Sequence, residues 1–211
     1  MATQAEARYR DGEGRLPDEA DARQRQLTRM ANAAYAAGLS RLMSGDRQGA
    51  GEWLQRAAER YRESYAGAPP GSWGRPIGAM KARLLAGDEE GATHDAGWAL
   101  AEGAAEAESP IGRYAATLAF LVLSRWTEAR VLADDLRTHE GFPTEVADTL
   151  AFISAHDVVG YDIAAESVLH SFETRDEYLE DVPVADTVLV LQALAERRGF
   201  SADLESDLLP C

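Results

Sequence analysis

Apolar residues recur along most of this chain at spacings of three and four, the pattern of helices that bury one face. Leu27, Met30, Ala34, Ala37 and Leu42 lie on one such face. Pro17 in a first turn, followed by Asp18 and Glu19, predicts that this helix runs from Pro17 to about Ser44. Gly45-Asp46 breaks it. Trp53, Leu54, Ala57, Ala58, Tyr61 and Tyr65 then carry a second helix, which ends before Gly67-Ala-Pro-Pro-Gly-Ser72, the widest interruption in the chain. Two further helices are predicted from Trp73 to Ala86 and from Asp88 to about Ala105. Ser109-Pro110 reads as an N-cap with proline at the first helical position, opening a helix that holds Tyr114, Leu118, Leu121 and Val122. Its partner starts near Trp126 and ends before Gly141. Helices from Thr144 to His156 and from Tyr161 to Thr174 follow. An acidic connection, Arg175 to Asp181, leads to a last helix with Val184, Val188, Leu191 and Leu194 that closes on Arg197-Arg198-Gly199, with both cations at its negative end and the glycine as C-cap. Residues 1–16, of mixed polarity and with two glycines, read as a flexible arm with at most one short helix, leaving residues 17–211 as a single domain.

The segments between helices repeat. Leu42-Met-Ser-Gly-Asp-Arg-Gln-Gly-Ala50 and Leu84-Leu-Ala-Gly-Asp-Glu-Glu-Gly-Ala92 are the same sentence forty-two residues apart. Ala129 falls in the same frame thirty-seven residues later, and a weaker fourth copy puts Ala165 there after another thirty-six. A period of that length is the mark of stacked helical hairpins. The expected fold is therefore all-α, an irregular stack of antiparallel hairpins, with at least eight helices and Ala50, Ala57, Ala92, Ala99 and Ala129 at the contacts. The alternative is a helical bundle in which Gly-Asp turns and alanine-rich interfaces arose independently.

These turns resemble the tetratricopeptide-repeat family. Gly38, Gly45, Asp46, Ala50 and Ala57 follow its pattern in the first copy, and Gly87, Asp88, Ala92 and Ala99 in the second. The spacing is irregular and the family's terminal proline is missing after most copies. The resemblance covers residues 17–175 and implies an α-solenoid that binds other proteins. A second resemblance lies at the C-terminus. Leu191-Gln-Ala-Leu-Ala-Glu-Arg-Arg-Gly-Phe200 and Asp203-Leu-Glu-Ser-Asp-Leu-Leu-Pro210 look like the end of a family of bacterial polymorphic-toxin immunity proteins. That resemblance implies an all-helical cytoplasmic protein that neutralises a cognate toxin.

Charge narrows the partners. The formal net charge is −15, and Lys81 is the only lysine. Arg23, Arg25 and Arg29 are interleaved with Asp18, Glu19 and Asp21, so no basic patch forms and nucleic acid is not expected as a partner. The acidity suits solubility or a biased genomic composition; it also suits a protein or peptide partner with a basic face. A homodimer is compatible with the same features. No apolar run approaches a membrane span, and no secretory leader is read at the N-terminus. The lone cysteine, Cys211, leaves no intramolecular disulfide to form, which makes a cytoplasmic address the expectation.

Catalytic signatures are scarce. The chain has no Walker-type loop, no Gly-x-Ser-x-Gly elbow, no Cys-x-x-Cys and no His-Glu-x-x-His. Glu90 with His94, and Glu166 with His170, are spaced i,i+4 on predicted helices, a spacing that can share a metal or merely mark an exposed helix contact. The latter is expected, with no catalytic, cofactor-binding or metal residues and no cofactor. Trp53, Trp73, Trp98 and Trp126 are expected as packing wedges, with Gly97 and Gly112 marking crowded helix faces. Three functions follow in order: a non-enzymatic protein-binding module, an immunity protein, and a metal-dependent enzyme using the Glu–His pairs.

Overall fold

The computed structural model describes residues 2–210, so Cys211 lies outside the described residues. Ten α-helices account for its regular structure: α1 (Ala2–Glu13), α2 (Ala20–Met43), α3 (Arg47–Tyr65), α4 (Gly74–Leu85), α5 (Glu89–Ala101), α6 (Pro110–Val122), α7 (Trp126–Leu136), α8 (Thr144–Ala155), α9 (Val158–Glu173) and α10 (Asp186–Glu196). Among the described residues there is no strand. Each helix from α1 to α9 packs on the next, as expected of an all-α chain built from consecutive pairs. No described helix is long and apolar enough to cross a membrane.

One backbone turn joins the two helices of four successive pairs. Gly45 donates to the Leu42 carbonyl and Asp46 to the Arg41 carbonyl, each at 3.0 Å. Gly87 and Asp88 repeat this on Leu84 and Arg83, Ser124 and Arg125 on Leu121 and Phe120, and His156 and Asp157 on Ile153 and Phe152. This is a left-handed C-terminal cap that satisfies carbonyls the helix leaves unpaired. Glycine fills the positive-φ position twice, and Ser124 and His156 fill it at φ 57° and 59°. Asp46, Asp88 and Asp157 then cap the following helix by accepting from Gly49, Gly91 and Gly160, each at 2.9 Å.

Close approach follows from small residues. A Cβ on Gly38 would lie 2.6 Å from Leu54 Cγ, so α2 and α3 can meet there only without one. Ala50, Ala57, Ala92, Ala99 and Ala129 are all fully buried, as their place in the repeat requires. The fourth copy needs correction. Its turn is His156-Asp157, so the residue matching Ala129 is Tyr161, one helical turn before Ala165. Tyr161 is fully buried and packs edge-on against Phe200, filling with an aromatic ring the space alanine leaves elsewhere.

Three other expectations change. The arm, whose sequence allows one short helix, is α1 and is docked through Ala5 and Tyr9 rather than loose. The Tyr9 ring meets Trp53 edge-on at 5.3 Å, and Glu6 pairs with Arg41 at 2.6 Å. The long helix opens at Ala20 rather than Pro17, because the Glu19 side chain caps it by accepting from the Asp21 and Ala22 amides. Gly97 is open, with no atom within 4 Å of an added Cβ, whereas Gly112 is wedged against Ala107 and Trp73.

The C-terminal segment binds the molecule together. Val182 and Val184 pack into the core built by α1–α3, while Val188, Leu191 and Leu194 of α10 pack into the core of α4–α9. α10 touches α4, α8 and α9, and the short 3₁₀ turn Leu179–Asp181 touches α2. The first members of three helix pairs therefore meet this one returning segment. α6, packed between α4, α5 and α7, is buried continuously from Tyr114 to Val122.

Candidate functional site

The face where the returning segment meets α2 and α4 holds a buried polar cluster. Lys81, on α4 between Met80 and Ala82, places its Nζ 2.5 Å from Asp186 Oδ2 and 3.3 Å from Thr187 Oγ1. The Tyr35 hydroxyl donates to the same Asp186 oxygen at 3.0 Å. The Lys81 and Asp186 side chains are only 14% and 16% exposed. Asp186 sits in the first turn of α10, where the positive end of the helix dipole favours a carboxylate. Nearby, the Tyr61 hydroxyl donates to Asn32 Oδ1 at 2.7 Å.

The electrostatics fix what this cluster can do. Burial pulls the Lys81 amine down, but Asp186 outweighs it, and the net shift is upward. Burial pushes the Tyr35 hydroxyl well above its usual range, and the Asp186 charge adds to that. Tyr61 and Tyr114 are raised by burial as well. A lysine acting as nucleophile must be neutral and a tyrosine acting as base must be ionised. Here the amine stays charged and the phenols stay protonated, so the cluster offers neither a neutral amine nor a phenolate, and its contacts clasp α2 and α4 to α10. Sequence reasoning passed over this cluster. Its one available signal was the sole lysine of an arginine-rich chain, set among apolar neighbours.

Arg197 and Arg198 extend the clasp. They were expected to serve the C-terminus of their own helix. Instead Arg197 donates to the Val122 carbonyl at 2.9 Å, and Arg198 to the Ile153 carbonyl at 2.6 Å and to that of Ser154. Both cations thus answer the negative ends of other helices, α6 and α8. The tail closes from the same side: Ala185 donates to the Leu208 carbonyl at 3.0 Å, and Gln192 bonds both polar backbone groups of Ala202.

The Glu–His pairs lie on exposed faces of α5 and α9. His94 is exposed, with Nδ1 3.2 Å from Arg62 Nη1. The neighbouring Asp95 is the buried group, held by Arg62 at 2.7 Å and Arg83 at 3.5 Å. His170 is exposed and lies 3.9 Å from Glu173, with Glu166 on the same open helix face. Among the described residues no three His, Cys, Asp or Glu side chains are grouped to hold a metal. Trp53 and Trp73 are buried wedges, whereas Trp98 and Trp126 are half-buried under the guanidinium groups of Arg62 and Arg198.

Arginines are largely consumed within the fold: Arg8, Arg41, Arg60, Arg83, Arg113, Arg137 and Arg197 each reach a carboxylate on another element or turn. The surplus acids are left facing outward. Three of them, Glu173, Glu205 and Asp207, line a cleft of about 850 Å³ between the end of α9 and the tail, together with Tyr178, Leu204 and Leu209. Comparison with known proteins finds no matching family model, no matching curated protein and no matching solved structure.

Proposed function

We propose that the chain is a non-enzymatic protein-binding module, an irregular tetratricopeptide-like stack whose acidic outer surface receives a basic protein or peptide. The observation that carries this reading is the disposition of charge. Many of the few cations pair with the chain's own carboxylates or cap its helix ends, and the chain carries a net charge of −15. Such a field speeds association with a basic surface and repels polyanions. The repeated Gly-Asp turns and the Gly38–Leu54 approach support the tetratricopeptide-like description. The face met by α10 is occupied by the chain itself, which favours recognition on the outside.

Affinity capture from the native organism, with the recovered partner repurified and titrated, tests the reading. The expected result is a stoichiometric complex whose association slows as salt rises. A partner with an acidic surface would overturn it.

The second reading, an immunity protein, is favoured by the Glu205–Pro210 tail. In this fold that tail is a brace, with Ser206 Oγ on Glu173 at 2.8 Å and Leu208 on Ala185. Its resemblance therefore speaks for shared architecture first. Stoichiometric inhibition of a captured toxin would establish the function.

A further inference from the structure

Helix α9 presents an outward stripe that the fold leaves uncovered. Val159, Ile163, Glu166, His170 and Glu173 follow one another at helical spacing and are all exposed. Half of the exposed large apolar side chains among the described residues fall within its first six positions: Val158, Val159 and Ile163, the last two at 71% and 63%. Exposed apolar residues scattered singly need no explanation, but a row on one helix face does. The stripe is graded along about 24 Å of helix. Its N-terminal half is apolar. Its C-terminal half is acidic and runs into the cleft lined by Glu173, Glu205 and Asp207.

We infer that this stripe is the docking surface for a basic amphipathic helix of the protein partner, an inference that rests on the binding function proposed above. The outer face of α9 is the side of the last helix pair on which no further helix of the chain packs. An incoming helix would lay apolar residues on Val159 and Ile163 and set arginine or lysine side chains against Glu166, Glu173 and the cleft. Charge selects this occupant over a second copy of the chain. α9 contains no lysine or arginine. The nearby Arg175 is stacked on Phe172 at 3.5 Å, with its Nε turned to the Ser171 carbonyl. Two copies meeting here would juxtapose carboxylates without cations to offset them.

The test uses the full chain and two synthetic helical peptides. One carries leucines at i, i+3, i+4 and i+7 flanked by arginines; in the other, glutamates replace the arginines. Backbone amide shifts of the labelled protein are followed at low and high salt. The arginine peptide is expected to move signals of residues 158–177, and to bind less tightly as salt rises. Ile163→Asp should weaken it about tenfold or more, while Val131→Asp on α7 leaves it unchanged. Both positions are exposed, and unchanged melting temperatures would show that the variants stay folded. Arginine-peptide binding that maps elsewhere and ignores Ile163→Asp would overturn this inference while leaving the basic-partner reading standing. Equal binding of the glutamate peptide, or no binding of either, would remove both. Sedimentation showing a dimer that Ile163→Asp dissociates would assign the face to a second copy and overturn the inference.

Discussion

Lys81 and Asp186 are 105 residues apart in sequence and 2.5 Å apart in space, and their contact ties α4 to the first turn of α10. Its neighbours are Tyr35, Thr187 and apolar side chains, so little water competes with it. Removing one partner strands the other charge. Lys81→Met or Asp186→Asn should each cost about 3 kcal/mol, at the lower end for a buried pair because both side chains retain some exposure. The double variant Lys81→Met/Asp186→Leu should recover much of that loss. Urea unfolding checks both, and single variants within about 0.5 kcal/mol of the parent would contradict the clasp.

The same pair sets a pH dependence. The Lys81 amine is raised in the folded protein, so its stabilisation is complete below the unfolded lysine pKa of about 10.4 and fades as pH climbs through the folded value. Tyr35 acts in the same sense, since folding raises its hydroxyl by burial and by the Asp186 charge. Stability should therefore fall on the alkaline side, and fall less steeply in Lys81→Met. A parent protein equally stable at neutral pH and near pH 11 would contradict this.

Small-residue positions divide by surroundings. Ala50→Leu and Ala92→Leu should overpack their helix pairs and cost roughly 1–3 kcal/mol. Gly97→Ala should do the opposite. It lies on an exposed, open face of α5, where exchanging glycine for alanine in a helix is worth about 0.5–1 kcal/mol of added stability. Denaturant midpoints for the three variants decide it.

The turns offer a sharper check. Ser124 and His156 hold a left-handed conformation that Gly45 and Gly87 adopt without strain. Ser124→Gly should stabilise by about 0.5–1 kcal/mol. His156→Gly should gain less, because its ring stacks on Phe200 at 5.3 Å. Thermal midpoints that drop for Ser124→Gly would show that its backbone is not the limiting feature.

These residues also show what the sequence could and could not convey. Gly45-Asp46, Gly87-Asp88 and Ser109-Pro110 are local devices, and each stands where its chemistry required. The fourth turn was misplaced because His156 occupies the glycine position and Tyr161 the alanine position, so both markers of the copy are disguised. Gly160, which stands where Gly49 and Gly91 stand, was the surviving clue. The docking of α1 escaped because Ala5 and Tyr9 form too narrow an apolar face to announce a packed helix without Trp53 to receive it. The return of α10 onto α4, and with it the Lys81–Asp186 clasp, depends on contacts across more than a hundred residues. No periodicity encodes such a contact.

The outward acidity makes the last prediction. At physiological salt the protein should retain neither DNA nor RNA, because non-specific affinity comes from clustered cations on phosphates, and many of the arginines here pair with carboxylates or helix ends of the chain itself. A protein ligand should instead present a basic face. Steering between the two is screened beyond about 8 Å at physiological ionic strength, so the association rate should fall as salt is raised while dissociation changes less. Stopped-flow measurements at low and high salt separate the two rates. An association rate indifferent to salt would make the charge of −15 a matter of composition. Binding would then have to rest on the apolar row of Val159 and Ile163 alone.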